Sequence, residues 1–285
     1  MTELSGTIML VFSVYVLAML GIGLWTARMT SSPLDFFLAD RSLKAWVTAI
    51  SSTASSESAW AVLGTVGLAY KEGLSSLWFM PGCLLGYLIN WLFIAEKLRK
   101  HSEENNAITL PDYFENHFDD KSSILRMVSV VIIFSCMMAY VAAQFTAIGK
   151  TFDAIFGVPH IDSISVGGTI VLVYTMMGGV RAVAWTDFIQ GIIMVLGLVI
   201  LSLVALASLG GFSGMLTEVS KASPETLQWM GGKSVSVFLG SLVGLLGIGL
   251  GYPGQPHVVT RYMAAKNTEA IQKGTIGKIE KVIIT

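Results

Sequence analysis

The chain has 285 residues, of which 53% are apolar and 13% are charged, and its formal net charge is −1. The charged share is about half that of an ordinary soluble domain, and the mean hydropathy is +0.68. This composition excludes a disordered chain and a coiled coil, and the missing basic excess excludes a nucleic-acid partner. It favours the lipid bilayer as the surroundings of the chain.

Seven stretches are long and apolar enough to cross a bilayer, which takes about 20 residues per helix. A soluble helical core is the alternative, but these stretches lack the polar face that recurs every 3.6 residues in an amphipathic helix. The sequence therefore predicts an all-α, polytopic membrane protein. The predicted spans are Thr7–Ala27, Ala45–Tyr70, Gly73–Ala95, Met127–Gly149, Ser163–Val180, Phe188–Gly211 and Ser234–Tyr252.

The basic residues between these spans predict the orientation of the chain, because cytoplasmic loops carry an excess of Lys and Arg. With the N-terminus outside, only Lys71, Lys150, Lys221 and Lys233 of the 18 basic residues fall on the outer side. The pattern predicts a multi-pass protein of the plasma (inner) membrane with its N-terminus outside.

The second span has a polar centre. Residues Ser51–Ser58 include six hydroxyl side chains and the carboxylate of Glu57. An ionised carboxylate at mid-bilayer costs about 2.5–3.5 kcal/mol on insertion scales, so such a group faces protein, water or an ion. A stripe of small residues for helix packing is the alternative. We predict that the helix is interrupted near Ser52–Glu57 and that Glu57 points into the bundle.

The seventh span ends in a stretch that cannot form a regular helix. Residues Gly247–Pro256 contain four glycines and two prolines, which oppose helix formation. An ordinary helix end followed by a loop is the alternative, but apolar positions resume at Val258 and predict a half-helix to Ala265.

Two broken helices at matching positions of two halves are typical of the binding site of a secondary transporter. The second and seventh spans stand five spans apart, which is the spacing of a five-helix inverted repeat. We therefore predict that these spans touch near their breaks, with Tyr252 within side-chain reach of Ser52–Ser58. A seven-helix receptor is an alternative, but it would not need two broken helices. A retinal pump would need a lysine within a span, and the predicted spans contain none. No hydrolase or zinc-protease motif indicates an enzyme.

Five collinear strings resemble the sodium:solute symporter family, and most closely its sodium/proline symporter branch. The resemblance implies a leucine-transporter-type inverted-repeat bundle, here incomplete with about seven spans, and sodium-coupled uptake of a small organic solute such as proline. It implies sodium as the coupling ion and no organic cofactor. The strings are Ala39–Leu43, Thr48–Ser51 with Ala54, Ser55 and Trp60, Asn105–Phe114, Ala184–Asp187 and Gly249–His257.

The resemblance also implies roles for individual residues. Sodium would be held at Ala54, Ser55, Ser56 and Glu57, although Ser56 stands where the proline branch has an acidic residue. A proton-coupled or weakly sodium-dependent transporter therefore stays open. Hydroxyls and carbonyls remain suitable ligands, because sodium is a hard cation.

On the substrate side, Tyr140 and Tyr252 fall on aromatic positions of the proline branch. Ile248 replaces a third aromatic residue, so another small amino acid or a carboxylate is an open alternative to proline. Trp60 and Gly251 complete the substrate residues implied by the resemblance.

Two supporting residues are predicted outside this set. Asp187 is interpreted as a carboxylate at the start of the sixth span, where Thr186 or Asp187 would cap the helix. Arg41 is expected beneath the bundle, together with a short capped helix that begins near Thr109 and has Pro111 in its first turn.

The predicted organisation is a first span with its loop (1–44), a five-helix repeat (45–211), the first helix of a second repeat (212–265) and a cytoplasmic tail (266–285). The charges at Lys278, Glu280 and Lys281 argue against an eighth span. The alternative to an active symporter is a truncated, non-transporting fragment of one.

Overall fold

A computed structural model describes residues 3–275, and the regular elements of this part are helices. Residues 276–285 of the predicted tail, which include Lys278, Glu280 and Lys281, lie outside the described residues, and the predicted division into four domains stays a prediction. The α-helices are α1 (Glu3–Ala27), α2 (Pro33–Leu38), α3 (Ala45–Ser56), α4 (Thr65–Glu72), α5 (Phe79–Ile89), α6 (Ala95–Glu104), α7 (Leu110–His117), α8 (Ile124–Phe156), α9 (His160–Ser208), α10 (Gly211–Ala222), α11 (Val235–Gly247) and α12 (Pro256–Met263).

Tighter and wider turns join several of these helices. The 3₁₀ turns are Ala39–Arg41, Gly73–Trp78, Pro224–Leu227 and Ile248–Gly254, and the π-helical turns are Trp60–Gly64 and Asn90–Ile94.

Five helical segments of the described chain are long and apolar enough to cross a membrane, compared with seven predicted spans. Part of the difference comes from α9, whose 49 residues would extend about 74 Å if straight, more than twice the thickness of a bilayer core. Its helical geometry fails at Gly179 (φ 55°, ψ −148°), so α9 contains both the fifth and the sixth predicted spans. The second span is divided by its break.

The apolar surface of the long helices points away from the protein. The apolar window of α8 contains no buried residue, and that of α9 is 6% buried. A soluble domain would bury such surface, since exposing it to water costs about 25 cal/mol per Å². The chain is therefore a multi-pass membrane protein, as predicted.

The described residues form two compact units. The first unit comprises residues 3–55, 95–188 and 256–275, and the second comprises residues 56–94 and 189–255.

The predicted interruption of the second span is confirmed. Helix α3 ends at Ser56, the next two residues are not helical, and a π-helical turn begins at Trp60. Inside α3, the hydroxyls of Ser52 and Thr53 both donate to the carbonyl of Ala49, so the hydroxyl run competes for helix carbonyls before the helix ends.

The predicted break of the seventh span is also confirmed. Helix α11 ends at Gly247, a 3₁₀ turn containing Pro253 follows, and α12 resumes at Pro256. The half-helix ends at Met263, two residues before the predicted end. Beyond it, the amide of Leu43 donates to the carbonyl of Ala264 at 3.1 Å.

The short capped helix predicted near Thr109 is α7. The Thr109 hydroxyl accepts from the amide of Asp112, and the Asp112 carboxylate accepts from the amide of Thr109. This capping box is worth about 1 kcal/mol. Arg126 of α8 then pairs with Asp112 at 2.9 Å and with Glu115 at 3.0 Å, which fixes α7 against α8.

Candidate functional site

The break of the second span opens onto a cavity of about 190 Å³ within the second unit, here called the break cavity. Its lining comes from the non-helical residues after α3, the π-helical turn, α4, α5 and the 3₁₀ turn of the seventh span. The lining residues are Ser56, Glu57, Ser58, Trp60, Ala61, Thr65, Phe79, Met80, Cys83, Leu84 and Tyr252.

Two glycines of α5 let the broken seventh span approach closely. A Cβ atom added at Gly82 would collide with the backbone of Leu245, and one at Gly86 would collide with the backbone of Gly249. The close approach places Tyr252 with its ring centroid 4.6 Å from that of Tyr87 and leaves its side chain 7% exposed. Tyr252 is thus held rigidly at the cavity wall.

The polar side of the break cavity is formed at the break itself. The hydroxyl of Tyr87 makes a very short contact with the hydroxyl of Ser56 and lies 3.3 Å from a carboxylate oxygen of Glu57. The predicted proximity of Tyr252 to the broken segment is confirmed, because Ser56, Glu57 and Tyr252 line one cavity. Glu57 lines this cavity and is exposed, so its predicted orientation into the bundle stays a prediction.

The structure brings some of the predicted substrate residues together. Trp60 and Tyr252 share the break cavity, whereas Ile248 and Gly251, both exposed, are not among the described residues that line it. The 3₁₀ turn Ile248–Gly254 leaves these two positions exposed while it buries Tyr252. Tyr140 belongs to the first unit, where its ring stacks on His257 at a centroid distance of 5.0 Å. The substrate roles of these residues stay predictions.

A second polar cluster lies in the first unit and is called the Asp187 cluster, formed by Ser51, Ser55, Asp187 and Arg261. One oxygen of Asp187 accepts from the hydroxyls of Ser51 (2.8 Å) and Ser55 (2.7 Å). The same oxygen accepts from the guanidinium of Arg261 at 2.9 Å, and the Arg261 side chain is 8% exposed. The predicted contact between the second and seventh spans is seen here too, since Arg261 also reaches Ser51 at 3.3 Å.

The interpretation of Asp187 as a helix-starting carboxylate is wrong. Helix α9 runs through Thr186 and Asp187, and the Thr186 hydroxyl donates back to the carbonyl of Val183 at 2.9 Å. The change of direction comes earlier, at Gly179, where a side chain would collide with the backbone of Phe36. Asp187 is therefore distinguished by the contacts of its side chain and not by a position at the start of a helix.

Sequence reasoning missed Arg261 as the partner of Asp187. The residues around Arg261 do give a signal, since Val258, Val259, Tyr262 and Met263 are apolar. An arginine among them is expected to be buried, and a buried arginine needs an acidic partner. Nothing in the sequence alone says which carboxylate that is.

Arg41 contacts the last turns of α12 and α6 and the segment that follows α6. Its guanidinium donates to the carbonyls of Met263 (2.9 Å), Ser102 (2.9 Å) and Ala107 (2.8 Å), and to the Ser102 hydroxyl. Carbonyls at a helix end lack partners within the helix. Arg41 thus positions α12 through its last turn, which suits its predicted supporting role.

The profile of the sodium:solute symporter family matches residues 36–285. This chain belongs to that family. It is 36% identical to the sodium/proline symporter of Escherichia coli over 269 residues, which cover 94% of this chain and 53% of the relative. It is 34% identical to the osmoregulated proline transporter OpuE of Bacillus subtilis over 283 residues, covering 99% of this chain and 57% of the relative. The chain thus spans about half the length of these relatives.

The fold is similar to that of a solved Na⁺-coupled sialic acid symporter in a substrate-bound, outward-open state. The TM-score is 0.77 at 20% sequence identity, and the match covers 95% of this chain and 56% of the other. At this identity the likeness establishes the fold, which is the predicted inverted-repeat bundle of the leucine-transporter type.

Proposed function

We propose that this chain takes part in sodium-coupled symport of proline or a related small amino acid across the inner membrane, with its N-terminus outside. The observation that carries the proposal is the break cavity, where both broken spans contribute side chains to one space of about 190 Å³. The proline-transporting relatives support this substrate class. The protein is then a transporter and not an enzyme, and it needs no organic cofactor.

The proposed sodium ligands begin with Ser56 and Glu57, because both residues line the break cavity. A set of hydroxyl, carboxylate and carbonyl oxygens suits a hard cation. Ala54 and Ser55 remain proposed ligands, but the Ser55 hydroxyl donates to Asp187. Bound sodium would supply the positive charge that allows Glu57 to stay ionised at this depth.

The proposed substrate side is the remaining wall of the cavity. Trp60, Met80 and Leu84 present apolar surface, and Tyr252 adds a hydroxyl at a fixed position. A pyrrolidine ring fits such a surface, and so does another small apolar side chain. A small carboxylate is the second candidate, because Ile248 stands where the resemblance implies an aromatic residue, although Ile248 is not among the described residues that line the cavity.

Binding of radiolabelled L-proline to the purified chain tests the proposal as the sodium concentration is varied. We expect Glu57→Gln to raise the half-saturating sodium concentration about tenfold, the size of a lost charge-assisted interaction. Tyr252→Phe should weaken proline binding by about fivefold through its lost hydroxyl. The matched controls are Glu218→Gln and Tyr70→Phe, since Glu218 and Tyr70 are both exposed and Tyr70 is 91% exposed.

Wild-type affinities from Glu57→Gln and Tyr252→Phe would contradict the proposal. A panel of small amino acids and carboxylates in the same assay separates the two substrate classes. If protons are the coupling ion, proline should still bind at acidic pH when choline replaces sodium. That result would reject sodium as the coupling ion.

A further inference from the structure

Tyr87 of α5 lies between the two sides of the break cavity. Its hydroxyl makes a very short contact with the hydroxyl of Ser56 and donates to a carboxylate oxygen of Glu57 at 3.3 Å. Its ring packs on the ring of Tyr252, with centroids 4.6 Å apart. All four residues belong to the second unit. Tyr87 therefore touches two proposed sodium ligands and one residue of the proposed substrate wall.

The contacts of Tyr87 continue as a chain of hydrogen-bonding groups. The hydroxyl of Tyr252 is hydrogen-bonded to that of Tyr87 and also interacts with the thiol of Cys83. The Tyr252 side chain is buried, so its hydroxyl proton changes direction only by rotation about the C–O bond. We call the polar groups of Glu57, Ser56, Tyr87 and Tyr252 the hydroxyl chain.

The number of protons in the hydroxyl chain limits the direction of its hydrogen bonds. Each tyrosine hydroxyl has one proton to donate and two lone pairs that accept. While the Tyr87 hydroxyl donates to the Glu57 carboxylate, its bond with Tyr252 requires Tyr252 to be the donor. The Tyr252 proton then points at Tyr87, and Tyr252 presents lone pairs to the break cavity. In this direction the Tyr252 hydroxyl repels the carboxylate of an amino acid.

We propose that bound sodium reverses the hydroxyl chain, so that Tyr252 becomes a donor to the carboxylate of the solute. A serine hydroxyl that binds a cation directs its lone pairs to the cation and its proton away from it, and here that proton goes to the oxygen of Tyr87. Tyr87 then donates to Tyr252, whose proton turns to the cavity. Each proton stays on its own oxygen, because the hydroxyls only rotate.

Tyr87 is thus a positioning residue, which makes bound sodium favour a solute with a carboxylate group. The inference rests on the proposed function for the sites of sodium and solute. It adds the residue that connects them, and a coupling between two sites is measured as the factor by which one ligand changes the affinity for the other.

Equilibrium binding of L-proline to the purified chain, with and without saturating sodium, measures this factor. Tyr87→Phe keeps the ring but removes the oxygen that accepts the Tyr252 proton, so Tyr252 can donate to the carboxylate in both conditions. We expect the gain in proline affinity from sodium to fall about tenfold, the size of one hydrogen bond to a charged group, through tighter binding without sodium. The gain in sodium affinity from proline should fall by the same factor. Tyr70→Phe, at an exposed position, is the matched control.

A purely structural role for Tyr87 predicts a different result, because it would weaken proline binding equally with and without sodium. Prolinamide lacks the carboxylate, so its sodium dependence should be the same in the wild type and in Tyr87→Phe. In the double variant Y87F/Y252F, the gain from sodium should equal that of Tyr252→Phe alone, since the donor is already missing. Unchanged coupling in Tyr87→Phe, or additive losses in the double variant, would overturn the hydroxyl chain.

A sodium-induced infrared difference spectrum gives a measurement that needs no proline. The C–O stretching band of a tyrosine shifts when its hydroxyl changes between donating and accepting, so sodium alone should change this band in the wild type. The change should disappear in Tyr87→Phe and persist in Tyr70→Phe. If it does so but sodium gives no gain in proline affinity, the hydroxyl chain stands and the proposed substrate fails. If proline binding depends on sodium but the band does not change, the hydroxyl chain fails and the proposed function stands.

Discussion

The Asp187 cluster and the break cavity both place a carboxylate beside serine hydroxyls of the broken second span, but they surround it differently. In the first unit, one oxygen of Asp187 accepts hydrogen bonds from two hydroxyls and a guanidinium, all within 2.9 Å, and the Asp187 side chain is 14% exposed. In the second unit, Glu57 is exposed at an open space with the Tyr87 hydroxyl 3.3 Å away. The first arrangement holds the carboxylate in a buried network, whereas the second places it at the break cavity, where we propose that sodium binds.

The largest expected effect comes from Asp187→Ala, which tests the structural role of the Asp187 cluster. The substitution leaves the buried charge of Arg261 uncompensated, so the free energy of unfolding should fall by about 3–5 kcal/mol. Thermal unfolding in detergent, followed by tryptophan fluorescence, measures the loss. Glu218→Ala, which removes an exposed pair, should change stability by less than about 0.5 kcal/mol. A loss from Asp187→Ala no larger than this control would contradict the assignment.

The next effect concerns the glycines that hold the break cavity together. Gly86→Ala should lower the free energy of unfolding by about 1–3 kcal/mol, because its methyl group would overlap the backbone of Gly249. It should also weaken proline binding by displacing Tyr252. Gly240→Ala on α11 is the matched control. Nothing lies within 4 Å of a Cβ there, so helix propensity should make that variant about 0.5–1 kcal/mol more stable. Equal effects of the two substitutions would show that close approach is unimportant.

The two breaks were predictable because their causes are local. The hydroxyl run at Ser51–Ser58 and the glycines and prolines of Gly247–Pro256 oppose a regular helix whatever surrounds them. The capping box of α7 is equally local, since Thr109 and Asp112 are three residues apart. Local sequence therefore predicts where the two spans break, whereas the lining of the break cavity depends on the fold.

The partners of the charged residues were not predictable, because they depend on contacts across long sequence separations. Asp187 and Arg261 are 74 residues apart, and Glu72 and Lys233, which also form an ion pair, are 161 apart. Gly179 lies one residue before the predicted end of the fifth span at Val180, but the sequence alone does not show why the helical geometry fails there. Its cause is the backbone of Phe36, which only the fold brings near.

The smallest expected effect concerns two neighbouring serines, Ser55 in the Asp187 cluster and Ser56 at the break cavity. Comparing them tests whether these two regions have different roles. Ser55→Ala removes one hydroxyl donor from Asp187, so it should lower the free energy of unfolding by about 1.5 kcal/mol, the size of one hydrogen bond to a charged group. Its half-saturating sodium concentration should change by less than that of Ser56→Ala, whose hydroxyl lines the break cavity. Thermal unfolding and sodium-dependent proline binding, measured on both variants, give the four values required. Ser55→Ala could instead give the larger shift in the half-saturating sodium concentration. The Ser55 hydroxyl, which donates to Asp187, would then also contribute to sodium binding. That result would contradict the separation of the Asp187 cluster from the proposed sodium site.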